Sequence, residues 1–467
     1  MRFDNNNNKL NLIIKHAKSY GFIYNSCEIY NGIKSIYDYG PNGLVMKNNI
    51  KKFWWDYMVR YRQNIVGIDT SILMEKKVWI ASGHIKKFKE YYIEIDNKIY
   101  KIKEFINLIL KNKKIKRKYL NLLNNNKNKI YKLLKIIKKK KLFNNIKVKK
   151  VNLMFRTKIN PFNSKIYTYL RPETAQGIFI NLKNIINSTK LTLPFGIAQI
   201  GKSFRNEIVT KEFIFRTKEF EQMEMQFFIT PGEEKKWYKY WIDNRLNWHF
   251  FFNLGKKNYK LNNHKELSHY TTYATDIEFK YLNKYKELEG IHFRKDYDLK
   301  QHIKYSKKKL IFFNPKTNKK ILPYIIETSL GVDRLFYSIF CKSIKFEKTR
   351  TYLKFPRFIS PIKIAILPLI RNNINIIKLS KKIFKNLIYD FNIIYDEKKS
   401  IGKRYHYYDA IGTPFCVTID KLSLIDKTVT IRNRDNMKQI RYKINLLKNY
   451  FKKKFNIYTF FKKSIKY

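Results

Sequence analysis

Residues 200–228, I-G-K-S-F-R-N-E-I-V-T-K-E-F-I-F-R-T-K-E-F-E-Q-M-E-M-Q-F-F, concentrate side chains able to do chemistry. The stretch reads as two strands joined by a polar loop. Side chains alternate between the faces of a strand, so Arg205 and Glu207 share one side at the end of the first. The second is expected to run from Phe215, with Arg216, Lys218, Phe220, Gln222, Glu224 and Gln226 on a single face. A cation, an aromatic plate, an amide and a carboxylate in that order do not suit a core. They suit a nucleotide joined to an amino acid. At about 3.3 Å per residue, Phe220 and Glu224 stand roughly 13 Å apart. An adenine on Phe220 would then leave an aminoacyl ammonium, linked through ribose and phosphate, near Glu224. Arg205 would meet the α-phosphate, and Glu207 would accept from the adenine amino group. For a lone R-x-E, a solvent-exposed hairpin with cross-strand ion pairs is the plainer reading.

F-R-x-E, a loop and R-x-x-x-F in succession resemble motif 2 of the class II aminoacyl-tRNA synthetases, and E-F-E-Q-M-E resembles their glycyl branch. The resemblance implies ATP contacts from Arg205, Asn206, Glu207, Phe215, Arg216, Thr217, Lys218, Glu219 and Phe220. It implies glycine contacts from Phe220, Glu221, Gln222, Met223 and Glu224. Y-L-R-P-E-T-A-Q-G at 169–177 is similar to a family loop in which Glu173 would take the ammonium; on its own, Glu-Thr before an apolar helix reads as a cap. E-L-E-G-I at 287–291 implies Glu287 and Leu288 at ATP. Glu287 would reach Mg²⁺, because hard cations bridging phosphates take oxygen ligands; a carboxylate-rich strand edge is the alternative. P-Y-I-I-E-T-S-L-G-V-D-R at 323–334 resembles motif 3. There a glycine admits close backbone approach and an arginine at a helix start meets the γ-phosphate. It implies Glu327, Thr328, Ser329, Leu330 and Gly331 at glycine, and Gly331, Val332, Asp333 and Arg334 at ATP. Thr328 stands where the family usually has proline. Arg205, Glu207 and Arg334 are the implied catalytic residues.

These residues need a scaffold. Residues 9–24 suggest a short amphipathic helix ending near Gly21. Y-D-Y-G-P-N-G at 37–43 leads into a helix over 44–60, with Met46, Ile50, Phe53, Trp54, Tyr57 and Met58 at helical spacing. A core stripe accounts for that spacing; the stretch also resembles motif 1, which implies a homodimer interface. Ser82-Gly83-His84 precedes residues 91–150, nearly all Lys, Ile, Asn, Leu and Tyr. They read as a mostly helical insertion, either touching tRNA or solvated, and Lys101 falls where relatives carry an arginine that approaches substrate. Beyond a boundary near Ser360, strands at 363–369, 393–395, 414–419 and 428–432 alternate with helices at 374–389 and 436–453, the sign of a small α/β domain. It resembles the anticodon-binding domain of glycyl-, threonyl-, prolyl- and histidyl-tRNA synthetases, and a basic tail follows. The expected fold class is α+β. A class II catalytic domain (1–90 and 151–360), an antiparallel sheet flanked by helices, would precede the C-terminal α/β domain (361–467).

The 467 residues suffice for two or three domains. Lys and Arg number 98 against 36 Asp and Glu, and the net charge of +62 points to a polyanion such as RNA. AT-rich codon usage would produce the same excess. Cys27, Cys341 and Cys416 lie far apart, so neither a zinc site nor a disulfide framework is expected. No signal or transit pattern opens the chain, and no apolar run reaches membrane length, so a cytoplasmic protein is expected. The resemblance implies that glycine, ATP with Mg²⁺, and tRNA(Gly) are the substrates and partners, in a glycine–tRNA ligase reaction. Two alternatives are a non-catalytic, synthetase-derived RNA-binding subunit and a class II enzyme of another amino acid specificity.

Overall fold

The computed structural model describes residues 2–95, 98–101, 146–163, 165–208, 213–264, 273–314, 318–458 and 461. Its central element is a seven-stranded sheet. In chain order the strands are β1 (Ile65–Gly67), β2 (Phe195–Phe204), β3 (Glu219–Ile229), β4 (Tyr259–Asn263), β5 (Tyr273–Tyr281), β6 (Lys284–Lys295) and β7 (Tyr324–Gly331). Their spatial order is β4-β5-β6-β7-β3-β2-β1, antiparallel except for the β1–β2 pair. The period-2 pattern of β3 divides its two faces. Met223, Met225 and Phe227 enter the main core with Trp241, Trp248, Leu335 and Phe336 from the covering helices Glu234–Phe250 and Val332–Ser343. Each such buried side chain contributes about 1.5–3 kcal/mol. On the other face Phe228 packs with Phe195, Ile325 and the helix Ala175–Ser188. That helix covers only half the face, and the uncovered half carries the polar residues.

The helix Pro41–Trp55 starts with proline at its first turn, where no intrahelical N–H is needed. An added Cβ at Gly43 would lie 1.9 Å from the Phe22 carbonyl oxygen, so this helix backs directly onto another chain segment. Met46, Ile50, Phe53 and Trp54 are buried at helical spacing. Lys47 and Lys51, off that stripe, reach Asp333 and Glu221, tying the helix to β3 and to the first turn of the helix Val332–Ser343.

The structure corrects several expectations. The first helix runs Arg2–Ser19, longer at its start than expected. Phe213–Phe215 forms a single helical turn and β3 begins at Glu219, so Arg216 and Lys218 belong to the loop. Two backbone bonds pin that loop: Lys218 N–H donates to Ser35 and Arg205 N–H donates to Lys218. The described parts of the 91–150 insertion are strands rather than helix. Lys89–Ile95, Lys98–Lys101 and Ile146–Asn152 make a three-stranded antiparallel sheet, while 102–145 lie outside the described residues.

The C-terminal sheet comprises β8 (Ile364–Pro368), β9 (Ile393–Tyr395), β10 (Phe415–Ile419), β11 (Thr428–Asn433) and β12 (Gln439–Lys443) in the order β9-β8-β10-β11-β12. The helix expected over 436–453 is in fact β12 followed by the helix Leu447–Phe455. Asn433 and Lys438 close a hairpin turn that returns the chain along β11. The tail is not merely basic: Phe461 is buried against Phe53, Tyr57 and Tyr61.

Candidate active site

The site is assembled by strand register. Glu224 on β3 pairs with Ser329 on β7 and Gln199 on β2, and Ser329 pairs with Gly290 on β6. One row along, Gln226 pairs with Glu327, which pairs with His292. Side chains distant in sequence thus meet over one half-face of the sheet. Glu224, Ser329, Glu327 and His292 line a cavity of about 280 Å³.

One end of this cavity is acidic. Glu224, Glu327 and Glu173 converge there, the first two almost fully buried. Glu173 sits just ahead of the helix Ala175–Ser188, where Thr174 makes no capping bond through its side chain. Thr174 instead donates to Glu224 at 2.5 Å, and Gln176 Nε2 donates to Glu173 at 2.9 Å. Arg171, buried two residues before Glu173, donates to the carbonyls of Lys202 and Thr70 at 2.7 Å each. It fixes this loop on the sheet; a Cβ at Gly201 would stand 2.3 Å from its guanidinium. Gln226 Nε2 donates to Glu224 at 2.7 Å and to Glu327 at 3.0 Å. Gln222 Nε2 donates to Ser329 Oγ at 3.2 Å.

Carboxylates crowded away from water repel one another, and the site answers with buried cations. Arg294 Nη1 donates to Glu327 at 2.6 Å, and its other nitrogens hold Asp298. His292 lies between Glu327 (3.2 Å) and Asp276 (3.7 Å). Burial opposes charge on His292, but those two carboxylates outweigh it and lift the ring to about 10. Burial likewise opposes ionisation of Glu327, yet Arg294 and His292 hold its carboxyl low. Glu173 is also low, burial being outweighed by His84, Arg294 and Gln176. Glu224 goes the other way, to about 8, through burial and then the charges on Glu327 and Glu173. Burial and the neighbouring carboxylates thus favour a proton on Glu224, and a bound ammonium would offset the same repulsion.

The other end is cationic and aromatic. The Arg205 guanidinium lies 5.2 Å from the Phe220 ring, with Nε donating to the Pro172 carbonyl at 3.0 Å. Glu207 lies 3.1 Å from Arg216 and 3.7 Å from Lys101. Arg334, in the first turn of Val332–Ser343, pairs with Glu287 at 3.0 Å and stands over the Phe215 ring. Glu173, Arg205, Glu207, Phe215, Arg216, Thr217, Phe220, Gln222, Glu224, Glu287, Leu288, Glu327, Ser329, Gly331, Asp333 and Arg334 all line the cavity.

Other residues named from the sequence lie elsewhere. Met223, Leu330 and Val332 are in the core behind the sheet, and Thr328 shares their side of β7. Glu221 projects away from the cavity between Lys47 and Lys51, and Glu219 pairs with Lys202. Asn206 accepts from Lys218 at 3.4 Å beside the cavity. Asp333 does line the cavity, but its carboxylate is held by Lys47, Tyr39 and the Glu221 backbone N–H. Sequence reasoning missed His292 and Arg294. The signal was present: Gly290, His292 and Arg294 alternate along G-I-H-F-R and so share one face. Among the described residues, no group of three His, Cys, Asp or Glu side chains is placed to hold a metal ion.

An antiparallel sheet with these two motif strands, a motif 3 arginine and a separate C-terminal α/β domain defines a class II aminoacyl-tRNA synthetase. Residues 155–341 match the family described as "tRNA synthetase class II core domain (G, H, P, S and T)", and residues 363–454 match "Anticodon binding domain". Across 95% of its length the chain is 43% identical to the glycine–tRNA ligase of Ruminiclostridium cellulolyticum and 44% identical to that of Acetivibrio thermocellus, covering 98% of each. It is 42% identical to the glycine–tRNA ligase of Borrelia hermsii over 94% of this chain and 96% of that protein. The chain belongs to the glycine–tRNA ligase family.

Proposed function

We propose that this chain activates glycine with ATP to glycyl-adenylate and transfers the glycyl group to the 3′ end of tRNA(Gly). The observation that carries this reading is the polarity of one cavity, carboxylates at one end and, at the other, Arg205 beside the Phe220 ring and Arg334 over the Phe215 ring. Glu173, Glu224 and Ser329 receive the ammonium, with Glu327 behind them. Phe220 stacks adenine, Glu207 accepts from its amino group, Arg205 meets the α-phosphate and Arg334 the γ-phosphate. The glycine carboxylate attacks the α-phosphorus in line and pyrophosphate leaves. Positioning and charge neutralisation supply most of the rate, so no nucleophilic side chain is needed.

Glycine selectivity follows from size. Every competing amino acid is larger, so a tight pocket excludes it sterically. A pocket built for a larger side chain gains only about 1–3 kcal/mol per methylene against a smaller rival. Glu287, half exposed at the phosphate end, could join phosphate oxygens around Mg²⁺, which usually takes one or two carboxylates and substrate oxygens. Such an ion would neutralise developing phosphate charge.

The reading extends to a cytoplasmic homodimer joined near the helix Pro41–Trp55. Ile29, Tyr30 and Ile33, strongly exposed in the preceding loop, offer an apolar patch for such a contact. Among the described residues, no helix is long and apolar enough to cross a membrane.

The test is amino-acid-dependent exchange of pyrophosphate into ATP, which glycine should support. A pH dependence is also expected. With its carboxyl lifted to about 8, Glu224 holds a proton below that pH, and glycine's ammonium must displace it there. KM for glycine should fall as pH rises from 6 to 8, by up to about tenfold per unit for one proton, and level off above. A flat profile across that range would remove Glu224 from the ammonium site.

A further inference from the structure

Ser82-Gly83-His84 is part of no role assigned above, yet it lies against the acidic end of the cavity. Gly83 adopts φ +81°, a left-handed conformation that glycine enters freely. The bend lets the flanking side chains meet: Ser82 Oγ stands 2.7 Å from His84 Nδ1. The opposite ring nitrogen, Nε2, stands 3.3 Å from Glu173 Oε2. Glu173 Oε1 accepts from Gln176 at 2.9 Å, so each carboxylate oxygen has a separate partner. A proton on Nε2 faces Glu173, and the Ser82 hydroxyl serves Nδ1 as donor to a neutral ring or as acceptor from a protonated one. The ring is wedged edge-on between Trp79 (5.7 Å) and Phe88 (5.8 Å). Phe88 in turn flanks the Arg205 guanidinium at 5.5 Å.

We infer that His84, oriented by Ser82, is a positioning residue for glycine, holding the Glu173 carboxylate in the orientation that receives the ammonium. This rests on the glycine reading of the cavity. The Ser82–His84–Glu173 chain fixes one oxygen by an N–H donor, and Gln176 fixes the other. Neither His84 nor Ser82 needs to touch ATP.

The test is steady-state pyrophosphate exchange with glycine and ATP varied separately. His84→Ala should raise KM for glycine about 10- to 100-fold, the effect of losing a hydrogen bond to a charged group. KM for ATP should stay near the wild-type value. His84→Gln places an amide N–H where Nε2–H stood and should recover most of the loss. Ser82→Ala should raise KM for glycine in the same direction by a few-fold. If His84→Ala does not fold, the His84→Gln and Ser82→Ala values decide alone, since both keep the slot filled. A mere packing role would disturb Phe88 and hence Arg205, so a parallel rise in KM for ATP would overturn the proposal. An unchanged KM for glycine in His84→Ala would also overturn it while leaving the glycine reading intact. Wild-type protein inactive with glycine would overturn both.

Discussion

Arg334→Ala is expected to lower glycine-dependent pyrophosphate exchange by roughly 10²–10³-fold, the effect of removing one fixed donor from a developing charge. The chain should remain folded. Arg334 is partly exposed and its partner Glu287 half exposed, so the substitution leaves a carboxylate that water can solvate rather than a buried orphan. The helix that carries Arg334 is anchored separately by Val332, Leu335, Phe336 and Ile339 in the main core. Arg334→Lys keeps the charge but loses the planar fork, so partial activity is expected. The comparison requires exchange rates together with a circular dichroism melt. Near-normal exchange in Arg334→Ala would take motif 3 out of the mechanism.

The largest expected stability effect lies between the two domains. Asp409, fully buried in the C-terminal domain, accepts from Arg432 of β11 at 2.8 and 2.9 Å. It also accepts at 2.7 Å from Arg350, which precedes the strand Thr351–Leu353 on the catalytic side. Arg350 continues to the Arg434 carbonyl, and Arg434 reaches the carbonyls of Phe355 and Gly412. Asp409→Ala would leave the buried Arg432 guanidinium without its carboxylate and take one of two from Arg350, which keeps Glu347 at 3.0 Å. A cost of about 3–5 kcal/mol is expected, because removing one partner strands the other charge. A urea unfolding curve measures it, and a midpoint equal to wild type would contradict the docking role. At permissive temperature tRNA charging should suffer more than glycine-dependent exchange, since only charging needs the C-terminal domain held in place.

Much of the site was legible because strands alternate. Phe220, Gln222 and Glu224 fall on one face by parity alone, and that face borders the cavity. Parity also places Met223 behind the sheet, so its inclusion among the glycine contacts followed the contiguous motif rather than the geometry. What parity cannot supply is register. Nothing local to Glu224 says that Ser329 and Gln199 stand opposite it, or that Arg294 and His292 on a strand some 70 residues later compensate its neighbours. The start of β3 was misplaced for a related reason. Phe215-Arg216 fits a strand pattern, and bonds from Lys218 to Ser35 and from Arg205 to Lys218, neither visible in the local sequence, hold the loop.

In the C-terminal domain the strands at 364–368 and 415–419 stood out as apolar runs. β12, Q-I-R-Y-K, did not, because it is an edge strand with mostly exposed residues set among lysines. Arg432 and Arg434 stand in the R-N-R-D run at 432–435, where their charge alone would suggest contact with RNA. Both are buried and spent on Asp409, Asp435 and backbone carbonyls. Charge in the sequence did not distinguish arginines that hold domains together from those free to meet a polyanion.

The most direct test of the central claim is pyrophosphate exchange into ATP with purified full-length chain and each of the twenty amino acids in turn. Glycine should support exchange and alanine and serine, the smallest competitors, should not. Exchange with another amino acid but not glycine, or with none, would contradict the account.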